Sequence, residues 1–140
     1  MTRGRVNIGV GLLTMALFMA YGFFLIYLRD FAPGKEAWIA QYSVGVHFET
    51  RLAHVHGNLF ALLNVAMGFV IPRLGVSERL RAVTATLALV GILMPVGILM
   101  EVYLGAPPIF VLIGAMSMTA SVALAGVLAL RSWDAVPVAG

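Results

Sequence analysis

The histidines of this 140-residue chain have the clearest chemical potential, because all three fall between positions 47 and 56. On an α-helix, residues three and four apart share a face, so Arg51, His54 and Asn58 are predicted to form one row. His47 joins that row if the helix begins early enough. His56 is two residues from His54 and therefore about 200° around the helix axis, so the two imidazoles are predicted to point in nearly opposite directions.

A neutral imidazole in an apolar helix can be an axial ligand of haem iron. Arg51, one turn away from His54, suits the carboxylate of a haem propionate. His54, His56 and Arg51 are therefore the predicted cofactor-binding residues. Gly57 is expected to allow close approach of a flat ligand or of a second backbone. The competing interpretation is that both histidines are hydrogen-bonded packing residues.

Three further polar residues are candidates for catalytic contacts: Asn58, Asn64 and Glu101. Glu101 ends the third apolar run, where a carboxylate suits a general base, a proton relay or a hydrogen-bond partner of an imidazole N–H. It is equally explained as a solvated carboxylate at a helix end.

A second kind of site, for copper or zinc, would use nitrogen and oxygen ligands from His47, Glu49, His54 and His56. The opposed directions predicted for the last two argue against this site. The chain has no cysteine, so thiolate ligands and covalent haem attachment are both excluded.

The stretch 52–75 resembles the second helix of styrene oxide isomerase, a small four-helix membrane protein. The resemblance rests on the pair Ala53-His54 and, at the family's spacing, on Phe-Val-Ile-Pro-Arg-Leu-Gly at 69–75. It extends back into 9–27 and forward into the third apolar run. It implies a trimer with haem b between subunits, whose iron acts as a Lewis acid on a small apolar epoxide. The family's ligand position falls on His54, which is therefore the implied iron ligand. His56 stands where the family has a glycine, so it stays an alternative ligand.

This sequence departs from the isomerase pattern at three positions. The family's third-helix aspartate and tyrosine fall on Gly91 and Leu99, and its second-helix asparagine falls on Phe60. Nearby polar groups such as Asn58 and Glu101 are candidates to replace them. Because isomerisation needs groups that orient the ring, the sequence predicts haem binding more directly than isomerase activity.

The elements that must position these residues are membrane spans. The chain is 61% hydrophobic and only 11% charged, whereas soluble domains have roughly 25% charged residues. Four apolar runs of a length that crosses a bilayer lie at about 6–28, 52–71, 82–100 and 109–130. The prediction is an all-α integral membrane four-helix bundle, with 1–140 as a single domain. No span is predicted to be broken by paired Gly and Pro, the pattern of many transporters.

Basic residues predict the orientation of the bundle. Six arginines lie before the first span, between the second and third spans and after the fourth. The positive-inside rule therefore places both termini in the cytoplasm of a bacterial-type inner membrane, with segment 29–51 facing outward along the interface. The net charge of +3 is explained by this bias, and no nucleic-acid partner is expected.

A ladder of small residues marks the fourth span at Ser117, Ser121, Ala125 and Ala129. Such ladders let another backbone approach closely, either within one chain or in a homo-oligomer such as the implied trimer. The expected partners are the lipid bilayer, further copies of the chain and a small apolar substrate. The alternative role is a non-catalytic accessory subunit of a larger membrane oxidoreductase complex.

Overall fold

The protein is described by a computed structural model over residues 2–132, with side chains described for 4–131. This part of the chain is helical and contains no strand, which confirms the all-α prediction. Six α-helices follow one another: α1 Thr2–Asp30, α2 Lys35–Ala40, α3 Val46–Val70, α4 Glu78–Gly91, α5 Leu93–Leu104 and α6 Ile109–Ser132. A single 3₁₀ turn, Ile71–Arg73, extends α3.

Four helical segments are long and apolar enough to cross a membrane, as predicted: Gly4–Asp30, Val46–Arg73, Glu78–Leu104 and Ile109–Arg131. The protein is therefore a multi-pass membrane protein. The second span begins at Val46, earlier than the predicted residue 52, and so it includes His47. The segment between α1 and α3, residues 31–45, is called the strap, and the end of the bundle that carries it is called the strap end.

The third span differs from its prediction because it is two helices, α4 and α5, that meet at Ile92. Pro95 has no N–H to donate to the carbonyl of Gly91, so the regular hydrogen-bond ladder cannot continue through this turn. The backbone N–H of Ile92 bonds instead to the carbonyl of Leu89 at 3.1 Å. The prediction that no span is interrupted by Gly and Pro is therefore wrong for this span.

Close helix packing depends on glycines that face a neighbouring backbone. A Cβ on Gly68 of α3 would lie 2.6 Å from the carbonyl oxygen of Gly4 in α1. A Cβ on Gly97 of α5 would lie 2.8 Å from the backbone nitrogen of Val111 in α6. Gly97 therefore allows close contact between α5 and α6 within one chain.

A buried amide pair joins α1, α3 and α4 away from the strap end. Asn7 Nδ2 donates to Asn64 Oδ1 at 3.1 Å and to the carbonyl of Ala85 at 3.0 Å. Asn64 Nδ2 donates to the carbonyls of Phe60 at 3.0 Å and Ala88 at 2.8 Å. Inside a bilayer these bonds satisfy polar groups that lipid cannot satisfy, so they fix three helices relative to one another.

The small-residue ladder of α6 packs against α4. Ser121 Oγ donates to the carbonyl of Thr84 at 2.7 Å, and both Ser121 and Ala125 are buried. Packing within one chain therefore accounts for the centre of the ladder, and the ladder no longer supports a contact between copies.

Candidate functional site

A cleft of about 630 Å³ opens between α1 and α3 at the strap end. It is lined by Met19, Gly22, Phe23, Leu25, Ile26, Arg29, Tyr42, His47, Arg51, His54 and Asn58. The predicted row Arg51, His54 and Asn58 therefore shares one cavity, and His47 joins it because α3 begins at Val46.

His54 is held in the cleft by a contact with α1. Its Nδ1 lies 2.9 Å from the carbonyl oxygen of Phe18. A carbonyl oxygen can only accept, so in the neutral ring Nδ1 carries the proton and Nε2 keeps its lone pair. The backbone of α1 thus fixes both the orientation and the tautomer of this imidazole.

Gly22 makes that contact possible. Gly22 lies one turn after Phe18 on α1, and a Cβ at Gly22 would come within 2.6 Å of Cε1 of His54. A side chain here would push the ring away from the Phe18 carbonyl. The missing side chain is therefore what gives His54 access to its acceptor.

Gly57, by contrast, does not face a ligand. The ring of Phe18 lies where a Cβ of Gly57 would stand, and Phe18 is buried. The expectation of a flat ligand or a second backbone at Gly57 is therefore corrected: the glycine accommodates an aromatic side chain of α1. This packing brings the Phe18 carbonyl close to α3.

Asn58 and Arg51 occupy the cleft one turn on either side of His54. Asn58 Nδ2 donates to the carbonyl of His54 at 2.9 Å. Arg51 Nη1 donates to the carbonyl of Tyr42 at 3.2 Å, and its guanidinium carbon lies 3.8 Å from the centre of the Tyr42 ring. A guanidinium has five N–H donors, so Arg51 keeps donors for an anion after bonding to Tyr42.

His47 fastens the strap to α3. It is 4% exposed, and its Nδ1 lies 2.8 Å from the carbonyl oxygen of Trp38. Its ring stacks on the Trp38 indole at 4.5 Å and meets the Tyr42 ring edge-on at 5.5 Å. His47 therefore contributes a strap anchor as well as part of the cleft wall.

The two sides of the cleft differ in polarity. Its α1 side is mostly apolar, with Met19, Phe23, Leu25 and Ile26. Two guanidinium groups, those of Arg29 and Arg51, lie toward the strap, and Arg29 bonds to Asp30 at 2.8 Å. This arrangement suits an amphipathic ligand with an apolar body and an anionic edge.

Three predicted site residues lie outside the cleft. His56 bonds through Nδ1 to the carbonyl of Leu52 at 2.9 Å and packs against Phe60 on another face of α3. Asn64 is fully buried: its Nδ2 donates to the carbonyls of Phe60 and Ala88, and its Oδ1 accepts from Asn7. Glu101 is an exposed residue of α5, and no α5 side chain lines the cleft.

The alternative metal site is not assembled by the fold. Within residues 2–132, no group of three or more His, Asp or Glu side chains is placed to hold a metal ion. The predicted opposition of His54 and His56 explains this result, because only His54 of the two faces the cleft.

Several site residues were not predicted from the sequence. Phe18 and Gly22 lie within an uninterrupted apolar run, where neither residue type signals a role. Tyr21 on α1 bonds to Tyr103 on α5 through their hydroxyls at 3.0 Å, which is another contact between spans that sequence did not indicate. Arg29, in contrast, carried a signal, since it is the charged residue at the end of the first span.

In comparison with known proteins, no protein-family model, no curated protein and no solved structure matches this chain. The function is therefore judged from the geometry of the cleft and from the resemblance carried by 52–75.

Proposed function

We propose that this protein binds haem b in the cleft between α1 and α3, with Nε2 of His54 as the axial ligand. The observation that carries the proposal is the bond from His54 Nδ1–H to the carbonyl of Phe18. Histidines that bind metals commonly donate their other ring N–H to a carbonyl or carboxylate, which fixes the tautomer and raises the basicity of the ligating nitrogen. His54 has this arrangement at the wall of a cavity.

The cleft residues fit the group. The cavity volume of about 630 Å³ lies within the range of roughly 300–1,000 Å³ typical of ligand sites. Leu25 and Phe23 offer apolar contact for a porphyrin, and Arg51 and Arg29 are the cations available to its propionates. When bound, the ferric haem would supply a Lewis acid for a small oxygen-containing substrate.

The activity that the resemblance implies is isomerisation of a small apolar epoxide to a carbonyl compound. Asn58 is the polar, uncharged side chain that the cleft offers beside His54, so it is the candidate to orient the epoxide oxygen. Gly91 and Leu99, at the positions of the family's third-helix aspartate and tyrosine, supply no such group. We therefore propose haem binding first, because isomerase activity would require bound haem.

Two further roles are distinguished by simple observations. A non-catalytic accessory subunit would co-purify with other subunits of a membrane oxidoreductase. A copper or zinc protein would carry the metal without a Soret band, and the placement of His56 away from His54 weighs against it.

We place the protein in a bacterial-type inner membrane with both termini in the cytoplasm. Arg5, Arg73, Arg79 and Arg81 lie at the end of the bundle away from the strap, as does Arg131. The strap end has Arg29, Lys35 and Arg51. The positive-inside rule favours the arginine-rich end as cytoplasmic, so the cleft opens near the outer interface.

The absorption spectrum of the detergent-purified protein, oxidised and then reduced with dithionite, tests the proposal. A b-type haem gives a Soret band and, on reduction, sharpened visible bands. Protein purified from haem-sufficient cells that shows no Soret band, and retains none after added haem is separated from it by gel filtration, would exclude the proposed function.

A further inference from the structure

The strap covers a second pocket that the haem proposal does not use. It has a volume of about 340 Å³, and its apolar wall includes Leu28 and Val46. Its polar lining comes from Lys35, Trp38 and Gln41, which are three residues apart along the strap and so share one face. Trp38 also stacks on His47, so it connects this pocket with the cleft.

Trp38 lines this pocket, and its indole N–H has no explained partner. Its nitrogen is shielded from solvent and has no hydrogen-bond acceptor among the residues that the structure describes. Buried donors almost always have an acceptor, because burying one without an acceptor is costly. The unsatisfied N–H therefore points to an acceptor supplied from outside the chain.

The donor groups that line the pocket indicate which kind of acceptor would bind there. Lys35 donates one hydrogen of its ammonium to the carbonyl of Asp30 at 3.3 Å, which leaves two for another partner. No carboxylate side chain lines the pocket. An ammonium, an indole N–H and an amide together favour an anion that has several acceptor oxygens.

The position of the strap at the membrane surface favours a lipid as the source of this anion. The strap joins the ends of two membrane-spanning helices, and Trp side chains are enriched at the level of the lipid headgroups, where their N–H finds polar partners. The headgroup phosphate of a phospholipid lies at that level and has the required acceptor oxygens.

We propose that the pocket beneath α2 binds the headgroup of an anionic phospholipid, with the phosphate accepting from Trp38 Nε1–H and pairing with Lys35. Because this N–H is shielded, the phosphate reaches it only with a rotation of α2, which Gly34 and Gly45, with φ of 78° and 75°, flank. A bound lipid would hold Trp38 on His47, and hence the strap over the cleft. The proposal does not depend on haem.

Phospholipid binding to the delipidated full-length protein, measured by native mass spectrometry in detergent, tests this site. Trp38→Phe keeps an aromatic ring on His47 and removes only the donor, while Lys35→Gln removes the charge. Arg131→Gln is the control, since it removes one positive charge at the other end of the bundle. We expect each strap variant to weaken phosphatidylglycerol binding about tenfold, with the control unchanged.

Three results would overturn the proposal. They are wild-type affinity in both strap variants, an equal loss in Arg131→Gln, and binding of phosphate-free diacylglycerol as tight as that of phosphatidylglycerol. Displacement of the lipid by millimolar inorganic phosphate would likewise assign the pocket to a free anion. Haem content has no part in this readout, so failure here is distinct from failure of the proposed function.

Discussion

His54 owes its properties to a backbone carbonyl on another helix. The Phe18 carbonyl takes the Nδ1 proton, and Gly22 leaves the space through which the imidazole reaches it. Oxygen atoms of a helix backbone are normally screened by the side chain one turn later. A glycine at that place turns an ordinary carbonyl into an acceptor for a side chain, and in the proposed function this contact prepares Nε2 as the haem ligand.

Gly22→Ala tests this positioning role. The added methyl group would crowd Cε1 of His54, so the ring must turn away from Phe18 and lose its acceptor. We expect haem affinity to fall by about tenfold to a hundredfold, the usual effect of losing a partner of a metal-binding histidine. Haem titration followed at the Soret band measures this change.

Gly9→Ala is the matched control, because a Cβ at Gly9 meets no atom within 4 Å. The same substitution on the same helix should therefore leave haem affinity unchanged. Equal affinities for the two variants would show that the Phe18 contact does not position the ligand.

The row of Arg51, His54 and Asn58 could be predicted because helical spacing alone determines it. The residues that complete the site could not be predicted in this way. Phe18, for example, lies 36 positions from His54 in the sequence, so helical spacing does not relate the two. A backbone carbonyl has no sequence signature, and a glycine inside an apolar run has many explanations. The separation of His54 from His56 was predictable for the same reason as the row, because it depends only on helix geometry.

At the scale of elements, a polar contact far from the cleft sets how α1 lies on α3 and α4. The amide groups of Asn7 and Asn64 are buried and bonded across the three helices. The sequence placed Asn64 among possible catalytic residues, because an amide in an apolar span suggests function. The structure assigns its amide hydrogens to packing, which a single sequence could not distinguish without knowing that Asn7 lies opposite.

Asn64→Leu is expected to lower the stability of the folded bundle by about 1–2 kcal/mol, since it removes the acceptor of Asn7 and the bond from Asn64 to Ala88 in α4. The midpoint of thermal unfolding in detergent measures this loss. Haem affinity should change little, because Asn64 does not line the cleft.

Thr119→Val serves as the comparison, since the Thr119 hydroxyl bonds only to the carbonyl one turn back on an exposed face of α6. This variant should unfold at the wild-type temperature. An Asn64→Leu protein as stable as Thr119→Val would contradict the role of the amide pair.

The third span shows where an apolar run is a good guide and where it fails. Hydrophobicity alone predicted a span at about 82–100, and α4 and α5 together occupy it. The hydrophobicity of a span does not show which backbone hydrogen bonds are missing within it. Pro95 was the available signal for the interruption, because proline removes a donor wherever it lies in a helix.

At the scale of the whole molecule, the four spans and their order follow from the apolar runs of the sequence. The orientation in the membrane depends instead on a small difference in positive charge between the two ends of the bundle. The even number of spans places Thr2 and Ser132 at the same end of the bundle. The arginines near that end predict that it faces the cytoplasm. The cleft and the strap then face outward.

Single cysteines at positions 35 and 81 test this orientation, and the absence of native cysteine makes the background clean. We expect a membrane-impermeant maleimide to label Lys35→Cys in intact cells, and Arg81→Cys only after lysis. Labelling of both positions from one side would refute the four-span arrangement, and the reverse pattern would refute the orientation.

Self-association is the second prediction at this scale. The α1 wall of the cleft is open, with Phe23 71% and Met19 55% exposed. A haem seated there would need cover, and the resemblance implies that further copies supply it in a trimer. Mass photometry in mild detergent should therefore find a trimer that Phe23→Ala weakens.

Leu130→Ala is the control for that experiment, because Leu130 is 91% exposed at the other end of the bundle. It should leave the trimer intact. A monodisperse monomer of haem-loaded wild-type protein would contradict the prediction.

The most direct test of the central claim is the haem content of His54→Ala and His56→Ala, purified in parallel and measured as Soret absorbance per mole of protein. We expect His54→Ala to lose its haem and His56→Ala to retain most of it. Free imidazole added with haem to His54→Gly should restore a Soret band that stays with the protein after unbound haem is removed, because the small ligand can occupy the place of the missing ring. Full haem content in His54→Ala, or its loss only in His56→Ala, would contradict the assignment of His54 as the axial ligand.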